Sequence, residues 1–375
     1  MKQDPWHYPR GELAAHLLRV MDSGLVSRIA IFAPRRKGKT WFVLRDLAPA
    51  AVQQAYMPVF ASLWRTPEKP QVAIVEGVRT ATEILRKKRV PWTNYLAKLA
   101  SLGIHLGGVG GTVGLARAKQ PTSEELSALS ESLNELVETA GRKKRRVLLL
   151  IDEAQHLATR QAFEAIAKAL RTALEGVEAT SPAAIRTLFT GSSKTDLAAL
   201  IDRRNAAFYG SFEKQELPDL TRDYTNFLAS QLERLGDISI SADGLWDIFV
   251  TFDKTPYYMQ LVIRELMLRR VETLDEAHRL VMEDIVYNPE LEARWGGLKP
   301  LEKAVYRRVC NNKPLYSANA IAELRRELNG SLEASNVQSV VRRLSSKGLI
   351  SSEGRGVYRN EDPELLAWVS QRELP

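Results

Sequence analysis

The residues Ala33-Pro-Arg-Arg-Lys-Gly-Lys-Thr40 have the types and spacing of a loop that wraps a polyphosphate. In such a loop successive backbone N–H groups curl round the anion, and Gly38 lets the backbone come close. Lys39 then places a point charge on the outer phosphates, and the Thr40 hydroxyl offers a hard oxygen to Mg²⁺. The pattern is G-x-x-x-x-G-K-S/T except at its first position, where Ala33 stands for glycine. Downstream, Val147-Leu-Leu-Leu-Ile-Asp152-Glu153 is an apolar run ending in two carboxylates, the Walker B arrangement. Asp152 is expected to hold the magnesium, and Glu153 to polarise the attacking water as general base. A third stretch, Leu188-Phe-Thr-Gly-Ser-Ser193, offers a polar side chain at a strand tip as a γ-phosphate sensor, with Ser192 first and Thr190 second. Arg203 or Arg204, just beyond, is expected either as a finger into a neighbouring subunit's site or as a plain surface residue.

The predicted phosphate-binding set is therefore Pro34, Arg35, Arg36, Lys37, Gly38, Lys39, Thr40 and Trp41. The predicted catalytic set is Lys39, Glu153, Ser192, Arg203 and Arg204, with Thr40 and Asp152 on the metal. The implied cofactors are ATP and Mg²⁺.

These groups need strands to carry them. Ser27–Phe32 is a short apolar run entering the phosphate loop, and 40–47 reads as a helix leaving it, its positive end directed at the anion. Residues 11–25 form an amphipathic helix with Leu13, Leu17, Leu18 and Met21 at helical spacing. A strand is expected over Met57–Leu63, helix over 71–100 with a break near Pro91, and a polar helix over 123–141. That helix runs into Arg142-Lys-Lys-Arg-Arg146, a solvated loop or a contact for DNA. The unbroken apolar run 147–151 is what a strand buried on both faces requires. A helix over 161–177 and a strand over Arg186–Thr190 follow, so strands alternate with helices as in a parallel sheet. The Gly-rich stretch 103–114 reads as a flexible hairpin or bulged strand pair, not a second phosphate loop.

From Leu217 the strand pattern fades. Residues 216–290 are expected as a helical lid, with 288–297 as a linker, after an ATPase core over 1–215. Residues 298–362 then read helix, helix, helix, hairpin, the order of a winged helix, with 363–375 as a C-terminal tail. Between Leu298 and Asn360 lie 12 Lys/Arg against 5 Asp/Glu, most of the whole chain's formal charge of +8. Concentrated positive charge suits an acidic partner, of which nucleic acid is the commonest. On the third helix Val337, Val340, Val341 and Leu344 fall on one face. Ser335, Asn336, Gln338, Ser339, Arg342, Arg343 and Lys347 fall on the other, placed for base edges and phosphates, with Arg355 and Arg359 on the wing. Protein docking is the rival use of such a module.

The length of 375 residues calls for two or three domains, and 45% apolar with 26% charged residues is ordinary for a folded chain. One cysteine, Cys310, permits no internal disulfide. No apolar run reaches the roughly 18 residues that span a bilayer, and the N-terminus lacks a signal-peptide core. A cytoplasmic protein with no membrane partner is expected.

With these motifs assembled, the sequence resembles the archaeal-type ATPase family of the STAND/AAA+ P-loop class, over roughly residues 8–290. Pro34-Arg-Arg-x-Gly-Lys-Thr40, Leu150-Ile-Asp-Glu153 and Phe189-Thr-Gly-Ser-Ser193 resemble its phosphate loop, Walker B strand and sensor strand. Pro9-Arg10-x-Glu12-Leu13 is similar to its entry to the adenine pocket, which implies a nucleotide role for Arg10. Ala207-Phe-Tyr-Gly210 resembles a segment that ends in arginine in the family, where Ser211 stands here. Asp253-Lys-Thr-Pro-Tyr-Tyr258 resembles a Gly-Gly-x-Pro-x-Tyr turn without its glycines, and implies that Pro256 helps the lid sense nucleotide. The resemblance implies an α/β fold: a P-loop parallel-sheet core, a helical lid and a C-terminal winged helix. It also implies adenine specificity and a nucleotide-driven switch or remodeller. The function expected is an ATPase that engages DNA, in remodelling, transposition, replication or defence, with homo-oligomerisation possible. The alternative is a slow-turnover regulator whose last domain docks a protein partner.

Overall fold

Four of the five strands of the central sheet are seven- or five-residue runs with no exposed position, and each is built from the apolar stretches that the sequence marks. In the computed structural model, which describes residues 4–106, 120–158, 160–192, 194–269, 271–354 and 356–372, these are β1 (Arg28–Phe32), β2 (Tyr56–Ser62), β3 (Arg146–Asp152) and β4 (Ile185–Gly191). A fifth, β5 (Glu213–Glu216), is polar and exposed. All pair in parallel in the order β2-β3-β4-β1-β5. Parallel strands need crossover connections, and the helices that supply them cover both faces, which is why the inner strands carry no polar alternation.

The crossovers follow the sequence reading with adjustments. Helix Gly11–Asp22 buries Ala14, Leu17, Leu18 and Met21. The helix after the phosphate loop is one α-turn (Lys39–Trp41), then a π-helical stretch (Phe42–Leu47), then Ala48–Gln53. Helices Pro70–Arg86 and Trp92–Leu106 flank the expected break near Pro91. The second takes in Gly103–Leu106, so those residues are not a hairpin, and the rest of the Gly-rich stretch lies outside the described residues. Helix Ser123–Arg142 starts on a capping box, Thr122 with Glu125. Edge strand β2 contains Pro58, whose missing N–H faces away from β3. Its carbonyl, on the same outer side, accepts a hydrogen bond from the buried Tyr95 hydroxyl at 2.6 Å.

The chain divides into two compact units. The first holds residues 1–33, 38–192 and 196–217. The second holds 218–375 with the short segments 34–37 and 193–195. In the second unit, helices Arg222–Gly236, Ala242–Thr251, Pro256–Leu268 and Leu274–Val286 come first. Then Pro289–Gly296 is a helix and not a linker: Asn288 caps it with its side chain and Pro289 takes the first turn, where its missing N–H costs nothing. Helices Pro300–Cys310, Ala318–Leu328 and Ala334–Ser346 precede an antiparallel pair, β6 (Ile350–Gly354) and β7 (Val357–Asn360). The expected tail is a helix, Pro363–Arg372. It buries Leu365, Trp368 and Val369, and the Trp368 indole donates to the Val286 carbonyl at 3.1 Å. Among the described residues no helix is long and apolar enough to cross a membrane.

Candidate nucleotide site

Parallel strands deliver their loops to one edge, and a crevice opens there where neighbouring connections diverge. Phe32, Asp152 and Gly191 end β1, β3 and β4 on that edge. Because β4 lies between the other two, Thr190 and Ser192 stand beside the Walker B acids. Gly38 is held at φ +89°, a left-handed conformation that favours glycine, and nothing lies within 4 Å of where a Cβ would be. The Lys39 ammonium, 5% exposed, donates to the Ala33 carbonyl at 2.6 Å, so the loop closes on its own first residue. Alanine at position 33 serves this closure as glycine would, since only its backbone oxygen takes part.

Asp152 is nearly sealed, at 3% exposure. The Thr40 hydroxyl donates to its Oδ2 at 2.9 Å, and the Thr190 hydroxyl donates to its Oδ1. Burial and the adjoining Glu153 push its carboxyl up to about 6, against the pull of the two hydroxyls and Lys39. Glu153 sits at φ 57°, a conformation that L-residues adopt at a cost. Its Oε2 accepts from the Ser192 hydroxyl at 2.8 Å and from the Gln155 amide, and that amide also reaches Ser192 Oγ at 3.1 Å. A side chain at Gly191 would meet Gln155 Oε1 at 2.9 Å, so glycine at the end of β4 keeps this cluster intact. Thr40 and Asp152 are hard oxygen donors in contact, and Asp152 lacks full charge compensation. Both features fit a small divalent cation that takes its remaining ligands from phosphate and water.

The expected residues divide in three. Lys39, Thr40, Asp152, Glu153 and Ser192 come together, with Gly38 shaping the loop. Gln155 was missed; only its place two residues after Glu153 marks it. Ser192 contacts Glu153, while Thr190 contacts Asp152. Arg36 and Lys37 are engaged by carboxylates of the second unit, to which 34–37 belongs. Lys37, 4% exposed, lies 3.1 Å from Asp219 and 3.5 Å from Asp253. Arg36 pairs with Glu364 at 3.1 Å and stacks on Tyr257, 4.2 Å from its centroid. Pro34 is buried and Arg35 exposed. Trp41 stacks on His7 at 6.1 Å and under Arg45 at 4.0 Å. Arg10 is the N-cap residue of Gly11–Asp22, and Pro256 opens Pro256–Leu268. Arg203 and Arg204 are exposed in the turns after helix Lys194–Ile201.

On helix Ala334–Ser346 the four valine and leucine positions are buried as expected. Several polar ones have local work. Asn336 accepts from the Glu333 N–H at 2.8 Å, and Ser335 reaches Glu333 Oε2 at 3.4 Å. Arg343 and Lys347 bind the buried Glu302 at 3.0 and 3.2 Å. Arg359 lies 3.7 Å from Asp253. Gln338, Ser339 and Arg342 are exposed, and Arg355 lies outside the described residues.

No family model and no curated protein matches this sequence. Solved structures do. The Walker-type ATPase paby2304 of Pyrococcus abyssi superposes with a TM-score of 0.63 at 14% identity, over 96% of this chain and 95% of that one. The ADP form of the Aeropyrum pernix ORC2 protein gives 0.56 at 16% identity, over 97% and 93%. The same protein in its ADPNP–ADP complexes gives 0.55 at 16%, over 95% and 89%. These likenesses show that the chain shares the fold of those structures. In this chain Lys39 and Thr40 follow β1, Asp152 ends β3 with Glu153 next to it, and Thr40 touches Asp152.

Proposed function

We propose that the chain binds ATP with Mg²⁺, hydrolyses it, and uses nucleotide state to control engagement with DNA through residues 298–362, folded as a winged helix. The observation that carries the nucleotide part is the hydrogen bond between Thr40 and Asp152, which joins the end of the phosphate loop to the end of β3. Thr40 and Asp152 would hold the cation, which when bound supplies charge neutralisation at the phosphates. Lys39 would leave the Ala33 carbonyl for the outer phosphates. Glu153, oriented by Ser192 and Gln155, would accept a proton from water as its oxygen bonds to the γ-phosphorus and the bond to the bridging oxygen breaks, releasing ADP and phosphate. The order of three helices and an antiparallel pair, with Arg342 exposed on the third helix, supports the DNA reading.

One observation favours a second reading, a slow-turnover regulator that docks a protein. Arg343 and Lys347 are bound to Glu302, which thins the charge that this helix offers to phosphates. Steady-state ATP hydrolysis with and without double-stranded DNA, beside Lys39→Ala, separates the two. DNA-stimulated turnover that is lost in the variant supports the first reading. Tight ATP binding with negligible turnover in both conditions supports the second, and unchanged ATP affinity in Lys39→Ala overturns the site itself.

A further inference from the structure

The run Arg142-Lys-Lys-Arg-Arg146 is split by its surroundings. Arg145 stacks over Trp92 at 4.0 Å and donates to the Val52 and Tyr56 carbonyls. Arg146 stacks over Tyr56 at 4.0 Å and pairs with Asp22 at 2.6 Å. These two arginines hold the fold. The other three residues project into solvent, and the Lys143 ammonium donates to the Lys87 carbonyl at 3.2 Å. That hydrogen bond brings a second basic segment, Lys87-Lys-Arg89, alongside the first. Arg86 and Arg142 have glutamate partners, Glu135 and Glu138. Lys87, Lys88, Arg89, Lys143 and Lys144 are all exposed, and among the described residues none has a carboxylate partner.

Helix C-termini attract cations, and Lys87 and Lys143 are the C-cap residues of Pro70–Arg86 and Ser123–Arg142. That accounts for one cation per helix. It leaves Lys88, Arg89 and Lys144 without a structural role. Lys144 is held at φ 54°, just past a helix end, where glycine is the favoured residue. The patch sits where β3 begins. Asp152 ends the same strand about 20 Å away, so these cations are no part of the phosphate loop's site.

We propose that this patch is a second contact for nucleic acid, reading duplex phosphates without regard to sequence. Only the choice of nucleic acid over other polyanions rests on the reading given under Proposed function. Cations carried on two adjacent loops suit the phosphates of a duplex, and none of the five exposed residues offers the aromatic stacking platform that would select single strands or bases.

The test is fluorescence anisotropy of a mixed-sequence 30-base-pair duplex, titrated with full-length chain across salt concentrations. The proteins are wild type, Lys88→Ala/Arg89→Ala/Lys144→Ala, and the charge-conserving Lys88→Arg/Lys144→Arg. Every phosphate that a cation no longer neutralises lowers the log–log salt slope by about 0.9, so the alanine variant should bind roughly tenfold more weakly at 0.1 M salt with a visibly flatter slope. The arginine variant should match wild type, and ATP binding should be unchanged in all. Lys144→Gly should raise the melting temperature while flattening the slope. Wild-type duplex binding with an unchanged slope in the alanine variant overturns the patch and leaves the DNA reading standing. A wild type that binds no duplex at any salt overturns both. Binding to phosphatidylserine vesicles that depends on the patch while the duplex slope does not would assign the surface to membrane and overturn the proposal.

Discussion

Asp152 in the first unit and Glu302 in the second are almost equally buried, at 3% and 2% exposure, yet they are held in opposite ways. Burial raises the Asp152 carboxyl and Glu153 raises it further, and two hydroxyls do not restore the balance. Burial works against Glu302 too, but the Lys299 N–H, Arg343 and Lys347 overcome it and hold that carboxyl below its ordinary range. Glu302 is a completed ion-pair cluster that fastens helix Ala334–Ser346 to Pro300–Cys310. Asp152 is an acid whose charge the fold alone does not satisfy. That incompleteness is what the proposed cation site requires, a buried group kept at some expense of stability for what it would hold.

Four measurements break or sharpen this contrast. The largest effect is expected from Glu153→Gln, which should cut ATP turnover about 100- to 10,000-fold while nucleotide affinity, measured by equilibrium binding, holds. Normal turnover would remove Glu153 from the role of base. Glu302→Gln should destabilise the second unit by about 2–3 kcal/mol at pH 7, read by denaturant titration. Its depressed carboxyl contributes stability above the ordinary glutamate value of 4.5, and that stability is lost as pH falls through the lower folded value, so the variant and wild type should converge in acid. Asp152→Asn should do the reverse and stabilise the nucleotide-free chain by about 1–2 kcal/mol at pH 8. Between its ordinary value of 3.8 and about 6, the folded chain holds a proton that the unfolded chain has released. Wild-type stability from this residue therefore declines as pH rises through that window, and the gain in Asp152→Asn should vanish below it. A loss of stability in Asp152→Asn at pH 8 would make the two acids alike. The smallest effect is expected from Thr190→Val, which removes one donor to Asp152 and should move its titration, followed by NMR, further upward.

Much of this site is legible in the sequence because its mechanism fixes residue types. A buried parallel strand must be continuously apolar, and a phosphate loop must place glycine, lysine and a hydroxyl residue in order, so β1, β3, β4 and Lys39–Thr40 stand out. What escapes is set by contacts across the sheet. That Thr190 meets Asp152 while Ser192 meets Glu153 depends on β4 lying between β1 and β3, which no local pattern states. Glu213–Glu216 has no apolar alternation because its side chains face solvent. Pro289–Gly296 looks like a linker because its capping asparagine, first-turn proline and terminal glycines are also loop residues. The basic surface of Ala334–Ser346 looks free because its buried acid, Glu302, lies over thirty positions earlier in the chain.

The two margins of the sheet bear on how the protein behaves in a tube. A strand's outer side is a row of open hydrogen-bonding groups, and a second molecule can add to it. At β2 that side is obstructed by Pro58 and by Tyr95 on its carbonyl. At β5, the other end of the strand order, the side chains are Glu213, Lys214, Gln215 and Glu216. Charged side chains that a pairing strand would have to strip of water guard this margin, and salt screens their charge. Concentrated stocks should accordingly keep best at low ionic strength, and exchanging Glu213 and Lys214 for valine should turn a clear solution turbid without altering the fold of any single molecule.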